Sequence, residues 1–428
     1  MIKTLTSAFK NKDIRKKLLY TLMMLVVIRI GSLLPIPGVD TEYFSTLLSG
    51  FNSGDLSYLS AFTGVSFEKM SLFALSITPY ITSSIIMQLL TIAIPKLEEM
   101  QKEGEDGRKK IASVTIALAL IESIAMAVGF GRQGLIKDYK DMSTIHYVTC
   151  IIVVVAALTA GSAVLMWIGE RITEKGVGNG ISIVLLINII SGMPSDFVTL
   201  YSTFVANKSI ARGVTVAVII AAIVIAVVVL VVILQDGERR IPVQYSQKVA
   251  GRKTIGGQAT NIPLKVNTAG VMPIIFASSI MQFPVIIVQL FTSNSYEWTK
   301  YLSQSYWCRV QMPKYSIGLL LYIILVVVFA YFYTSITFNP VQIADNLKKA
   351  GGVVPGITPG RSTSEYLNKI LNYIVFIGAV GLMIVALIPI MCTGFFNASV
   401  SFGGTSIIII VGVVLETLKQ IESQLLVR

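Results

Sequence analysis

Residues Val214–Leu234 read VTVAVIIAAIVIAVVVLVVIL, and QDGERR follows. The stretch holds no charged residue, and about 20 mostly apolar residues are enough to cross the hydrocarbon core of a bilayer as a helix. Nine further stretches of the same kind flank it. They lie near Leu18–Leu34, Leu72–Ile94, Ile111–Phe130, Val148–Ile168, Ile181–Tyr201, Val271–Phe291, Tyr315–Thr337, Ile370–Ile390 and Ser406–Gln420. The chain therefore reads as an all-α polytopic membrane protein with ten transmembrane helices. Bulk composition agrees. Of 428 residues, 54% are hydrophobic and 14% charged, against about 25% charged in a soluble domain, and the mean hydropathy is +0.74.

The arginines that close QDGERR belong to a wider pattern. Of the 35 lysines and arginines, 25 fall in the N-terminal segment, in every second gap after it and in the tail, nine fall in the remaining gaps, and Arg29 lies inside the first span. Short loops rich in Lys and Arg stay on the cytoplasmic side, so both termini are expected in the cytoplasm. The net charge of +12 follows from such loops without any nucleic acid, although its concentration in two long loops leaves room for an acidic partner. The first span has basic residues ahead of an apolar core, as a signal peptide does. It lacks a small-residue cleavage site and is expected to be a retained helix. Cys150, Cys308 and Cys392 have no paired spacing, and His146 has no second ligand near it, so neither a disulfide framework nor a metal site is expected.

Ten spans divide into five plus five, 1–205 and 206–428. An odd number per half makes the second half enter the membrane from the opposite side, and inverted halves place a site at their interface near the midplane. Gly50–Met70 (GFNSGDLSYLSAFTGVSFEKM) is too short and polar to span. It is either a surface loop or a short helix folding back into the membrane, which requires protein or water around it. Gln235–Asn267 and Phe338–Asn368 are long for connectors, and loops of that length are usually functional or disordered. The first contains a β-like run, Ile241–Tyr245, and a turn-like Gly251–Gly257. The second pairs a helix-like ADNLKK with AGGVVPGITPG, a breaker-dense hairpin signature. Both are expected to protrude as basic fingers.

Catalytic patterns such as HExxH, GxSxG and the phosphate loop do not occur, and Gly129–Gly134 matches GxGxxG only at the end of an apolar span, outside the strand-to-helix context the motif needs. No cofactor is implied. Ionisable residues within spans are Arg29, Glu122 and Glu416, each alone on its helix. Such residues default to functional candidates, though a coupled transporter usually carries more carboxylates. Ser84 and Gln88, and Ser278 and Gln282 with Ser279 alongside, form polar stripes at helical spacing on the second and seventh spans. They are either hydrogen-bonding contacts within a bundle or the faces of a seam that opens.

Several ordered segments resemble the bacterial SecY family, the channel subunit of the general protein translocase. They are RIGSLLPIPGVD at Arg29–Asp40, SLFALSITPYITSSIIMQLL at Ser71–Leu90, EGEDGRKKI at Glu103–Ile111, LMWIGERITEKGVGNGISI at Leu165–Ile183, PLKVNTAGVMPIIFASSI at Pro263–Ile280, FNPVQIADNLKKAGG at Phe338–Gly352 and FGGTS at Phe402–Ser406. The resemblance implies two inverted five-helix halves around a pore that opens sideways between the second–third and seventh–eighth spans. It makes Gly50–Met70 a re-entrant plug helix and gives pore-ring roles to Ile77, Ile81, Ile181, Leu185, Ile275 and Ile409. An aliphatic ring dewets and so excludes ions.

Thr82, Ile85 and Phe283 match lateral-gate positions beside the polar stripes of Ser84, Gln88, Ser278, Ser279 and Gln282. The cations Arg239, Arg240, Lys248, Arg252, Lys253, Lys348, Lys349 and Arg361 lie in the loops that dock the SecA motor or the ribosome. Thr358 stands where the family usually has arginine. Implied partners are the small membrane subunits SecE and SecG, SecA, the ribosome, unfolded preproteins with their signal sequences, and membrane lipid. The function implied is a gated protein-conducting channel, not an enzyme, in the bacterial plasma membrane. A secondary transporter is the rival that inverted halves also suit.

Overall fold

The computed structural model describes residues 9–37, 39, 63, 65–103, 105–132, 144–201, 210–245, 248–250, 253–255, 259–291, 296–308, 313–396 and 404–426. Most of the expected plug and Arg252 lie outside these residues, as does most of the expected turn at 251–257.

A helix occurs at each of the ten apolar stretches. In chain order these are α1 (Lys12–Gly31), α2 (Thr78–Ala93), α4 (Glu105–Arg132), α5 (Thr144–Lys175), α6 (Gly180–Leu200), α7 (Ile210–Asp236), α8 (Met272–Phe291), α9 (Ile317–Thr337), α11 (Arg361–Phe396) and α12 (Gly404–Leu426). Two shorter helices, α3 (Pro95–Lys102) and α10 (Pro340–Lys349), complete the set used below. Among the described residues, Lys109–Val128, Val148–Lys175, Pro313–Lys349 and Arg361–Ile388 are long and apolar enough to cross a membrane alone. The chain is a mostly helical membrane protein.

The second span departs from the continuous helix expected over Leu72–Ile94. Helix α2 starts only at Thr78, with Pro79 in its first turn. Ser76 just before it has φ +52°, a left-handed conformation that ends regular helix in either direction. Residues upstream of it bond to the end of the first span instead: Leu72 N donates to Leu34 O at 2.9 Å and Ile36 N to Met70 O at 3.2 Å. At the other end, α2 and α3 meet at a bend of 107°. Pro95 opens α3, and Ile94 before it is extended (φ −112°, ψ 108°). A proline lacks the N–H for helix continuation and pushes its predecessor out of the α region.

The chain divides into two compact units: Met1–Ile219 with Ser279–Gly318 and Pro389–Arg428, and Ile220–Ser278 with Leu319–Ile388. In the first, α5 packs against α1, α4 and α6, while α6 also packs along α12. Phe67, Met70, Ala74 and Leu75 are buried with Ile36, Met126, Val154 and Leu158. The downstream end of the 50–70 segment is therefore rooted in a core. A second apolar cluster joins Ile14, Val177 and Ile421, with Thr21 Oγ1 accepting from Val177 N at 3.1 Å.

The second unit contains the two long loops. Strands β1 (Glu238–Tyr245) and β4 (Ala259–Lys265) form an antiparallel pair, and β2 (Lys248–Ala250) pairs with β3 (Lys253–Ile255). Strand β5 (Gly352–Val353), from the other loop, adds to β1 in the order β4-β1-β5, matching Gln244 with Val353 and Tyr245 with Gly352. Alternate β1 residues Ile241 and Val243 point into an apolar core with Leu264, Leu347, Val354, Leu367, Ile370 and Ile374. Two corrections follow. The chain is helical in its apolar stretches but has a β-sheet between them, so all-α was too strong. The loops are also not separate fingers, because neither two-residue β5 nor the lone β1–β4 hairpin could bury an apolar face alone.

Candidate functional site

Ile77, fully buried, is the residue that caps α2. Ile81 follows one turn later, its N–H donating to Ile77 O at 3.1 Å. Ile181 and Leu185 occupy the first turns of α6. That helix begins at Asn179, whose Oδ1 accepts from Ile181 N at 3.1 Å and Ser182 N at 3.4 Å. Its start is pressed onto α5: Gly180 N donates to Thr173 Oγ1 at 2.9 Å, and a methyl group on Gly180 would overlap the Gly169 carbonyl. Gly169 in turn offers a bare patch. A Cβ placed there would lie 3.5 Å from Ile181 Cγ1 and 3.7 Å from Ile77 Cδ1. The two isoleucines thus converge on one point of α5. Leu185 and Ile409 are buried on α6 and α12, helices in contact with each other. Ile275 is buried in the other unit, next to Phe276, whose ring meets Phe329 and Tyr333 edge-on at 5.8 Å and 6.1 Å.

The polar stripe of α2 has a partner that one-dimensional reading missed. Glu122, expected to stand alone on the third span, faces α2. Both of its carboxylate oxygens lie 2.5 Å from Thr82 Oγ1, and Ser83 Oγ donates to Oε2 at 3.2 Å. Thr82 also reaches the Thr78 and Pro79 carbonyls at 3.2 Å and 3.1 Å. Ile85 is buried and Ser84 half-buried. Among the described residues, the side-chain oxygens of Gln88 and Gln282 are buried without a hydrogen-bond partner. On α8, Ser278, Ser279 and Gln282 are buried while Phe283 is exposed. Ser278 lies beside the Tyr322 hydroxyl of α9. No sequence signal marked Ser83 or Glu122 as mates, since they are 39 positions apart.

Of the basic residues, Arg239, Arg240, Lys348 and Lys349 are exposed. Arg361 is exposed as well and pairs with Glu365 at 3.0 Å. Lys248 and Lys253 fall on β2 and β3. Thr358 is exposed, its carbonyl accepting from Thr363 Oγ1 at 2.9 Å.

Apolar helices at all ten stretches, with a small basic sheet between them, define a mostly helical polytopic membrane protein. The SecY family model matches residues 71–418. The chain is 41% identical to the protein translocase subunit SecY of Streptomyces galbus, covering 99% of this chain and 98% of that one. It is 40% identical to the same subunit of Halalkalibacterium halodurans, covering 100% and 98%. Its fold resembles a solved protein conducting channel with TM-score 0.63 at 18% identity, over 96% of this chain and 92% of the other. Sec61 in the canine ribosome-channel complex aligns with TM-score 0.59 at 18% identity and the same coverage. The chain belongs to the SecY family. It is a protein-conducting channel of the Sec translocase, a multi-pass membrane protein whose work is transport and not catalysis.

Proposed function

We propose that this chain exports signal-sequence-bearing proteins across, and releases membrane proteins sideways into, a bacterial plasma membrane. Ten transmembrane helices form two inverted five-helix halves, 1–205 and 206–428, with a re-entrant plug at about 50–70 and both termini cytoplasmic. Ile77, Ile81, Ile181, Leu185, Ile275 and Ile409 form the ring through which the chain passes. The convergence of Ile77 and Ile181 on Gly169 is the observation that carries this reading, because it puts two helices' aliphatic side chains at one spot. An apolar ring dewets when empty and parts around a polypeptide.

The lateral gate comprises Thr82, Ser84, Ile85 and Gln88 with Ser278, Ser279, Gln282 and Phe283. The unpartnered oxygens of Gln88 and Gln282 support a seam that opens, since a buried acceptor without a donor costs about 1–3 kcal/mol and regains one when water or a peptide backbone enters. A signal sequence lodged there gains apolar burial, and that differential affinity shifts the gate open. Arg239, Arg240, Lys248, Arg252, Lys253, Lys348, Lys349 and Arg361 dock SecA or the ribosome, and SecE and SecG complete the complex. Replacing both Ile81 and Ile275 by Gly is expected to raise the resting ion conductance of the reconstituted complex in planar bilayers. Unchanged conductance would refute the ring.

A further inference from the structure

Asn188 follows Ile181 by seven positions and Leu185 by three on α6, so the three share one helical face. The first two are aliphatic. An amide on that face is costly unless it is hydrogen-bonded, and Asn188 is only 5% exposed. Its Nδ2 donates to Ser76 Oγ at 2.7 Å, a link across 112 positions. Ser76 is completely buried and immediately precedes Ile77.

The conformation of Ser76 makes that bond more than a packing detail. Its φ is +52°, a region that residues other than Gly, Asn and Asp seldom occupy. The turn it makes is closed by its own N–H donating to Phe73 O at 2.9 Å. Pro79, in the first turn of α2, has no N–H to donate to the Leu75 carbonyl, so regular helix cannot run back through the turn. The way the chain enters α2, and hence where Ile77 sits relative to Ile181, depends on holding a strained serine. Asn188 supplies the side-chain bond that holds it.

We propose that Asn188 is a positioning residue of the constriction, clamping the left-handed turn at Ser76 so that Ile77 stays over Gly169 beside the place Ile181 reaches. The proposal rests on the reading of those isoleucines as ring members. The test is resting ion conductance of the reconstituted complex in planar bilayers, with thermal midpoints measured alongside. Asn188→Ala is expected to raise resting conductance roughly five- to tenfold, the factor that matches one net hydrogen bond, with the melting midpoint within a few degrees of wild type. Glycine holds a positive φ without help, so Ser76→Gly combined with Asn188→Ala is expected to return conductance close to the wild-type level.

Equal leakage from the single and double variants overturns the clamp, as does an Asn188→Ala channel as tight as wild type. If Asn188→Ala fails to assemble, the double variant decides: a folded, tight channel supports the clamp, and a leaking or unassembled one overturns it. The Ile81→Gly, Ile275→Gly channel serves as control. Its silence brings down the ring reading and the clamp with it, whereas a leaking control beside a silent Asn188→Ala overturns the clamp alone.

Discussion

Glu122→Ala removes the acceptor that ties α2 to α4. Thr82 keeps the Thr78 and Pro79 carbonyls within 3.2 Å and 3.1 Å, so its hydroxyl is not stranded. Ser83 is different. It is fully buried, and among the described residues its Oγ has no acceptor besides Glu122. Hydrogen bonds between membrane helices average about 0.6 kcal/mol and reach about 1.7, so losing two costs about 1–2 kcal/mol. A stranded buried hydroxyl adds about 1 kcal/mol more. Glu122→Ala is therefore expected to lower stability by about 2–3 kcal/mol. Adding Ser83→Ala removes the stranded group and should recover about 1 kcal/mol of that loss. Reversible unfolding of the purified protein in mixed micelles, titrated with SDS, reads both values. The reasoning fails if Glu122→Ala stays within about 0.5 kcal/mol of wild type, or if Ser83→Ala makes the double variant worse.

Gly352→Val tests whether the two long loops fold as one. A Cβ at Gly352 would meet Tyr245 at 3.0 Å, Val243 at 3.2 Å and Leu347 at 3.3 Å, and overpacking of that kind costs about 1–3 kcal/mol. Limited proteolysis should then cut faster in 238–265 and in 338–368 together, while separate loops would show faster cutting in the second alone. Reversing the charge of the exposed Arg239 and Arg240 should weaken binding of SecA or ribosomes at low salt. The difference from wild type should shrink toward 1 M salt, where the screening length is about 3 Å, and a salt-independent loss would point to damage rather than to lost charge attraction.

Much of the architecture was legible in one dimension. Hydropathy is a local sum over about 20 residues, so all ten stretches announced their helices, and the cation asymmetry of the gaps needed no coordinates. The turn chemistry was partly legible too. Pro79 and Pro95 sit in plain view and account for where α2 begins and ends; the expected stretch stops at Ile94, ahead of Pro95, but ran through Pro79 unbroken. The left-handed Ser76 had no marker at all, because glycine, the usual occupant of such a φ, is not there.

Pairing was the part that sequence spacing does not encode. Glu122 read as a solitary carboxylate until α4 placed it on Thr82 and Ser83. Asn188 carries no signal in the sequence, and only α6 delivers it to Ser76. The breaker-rich loop around Gly352 offered a hairpin, but its strand joined β1 from the other loop. The chain alone determined that it spans a membrane, which stretches form apolar helices, and which family it resembles, since these follow from residue-by-residue transfer energies and ordered motifs. Only the tertiary structure decided which buried polar groups find partners, because a donor and an acceptor separated by 40 or 112 positions meet solely through helix packing.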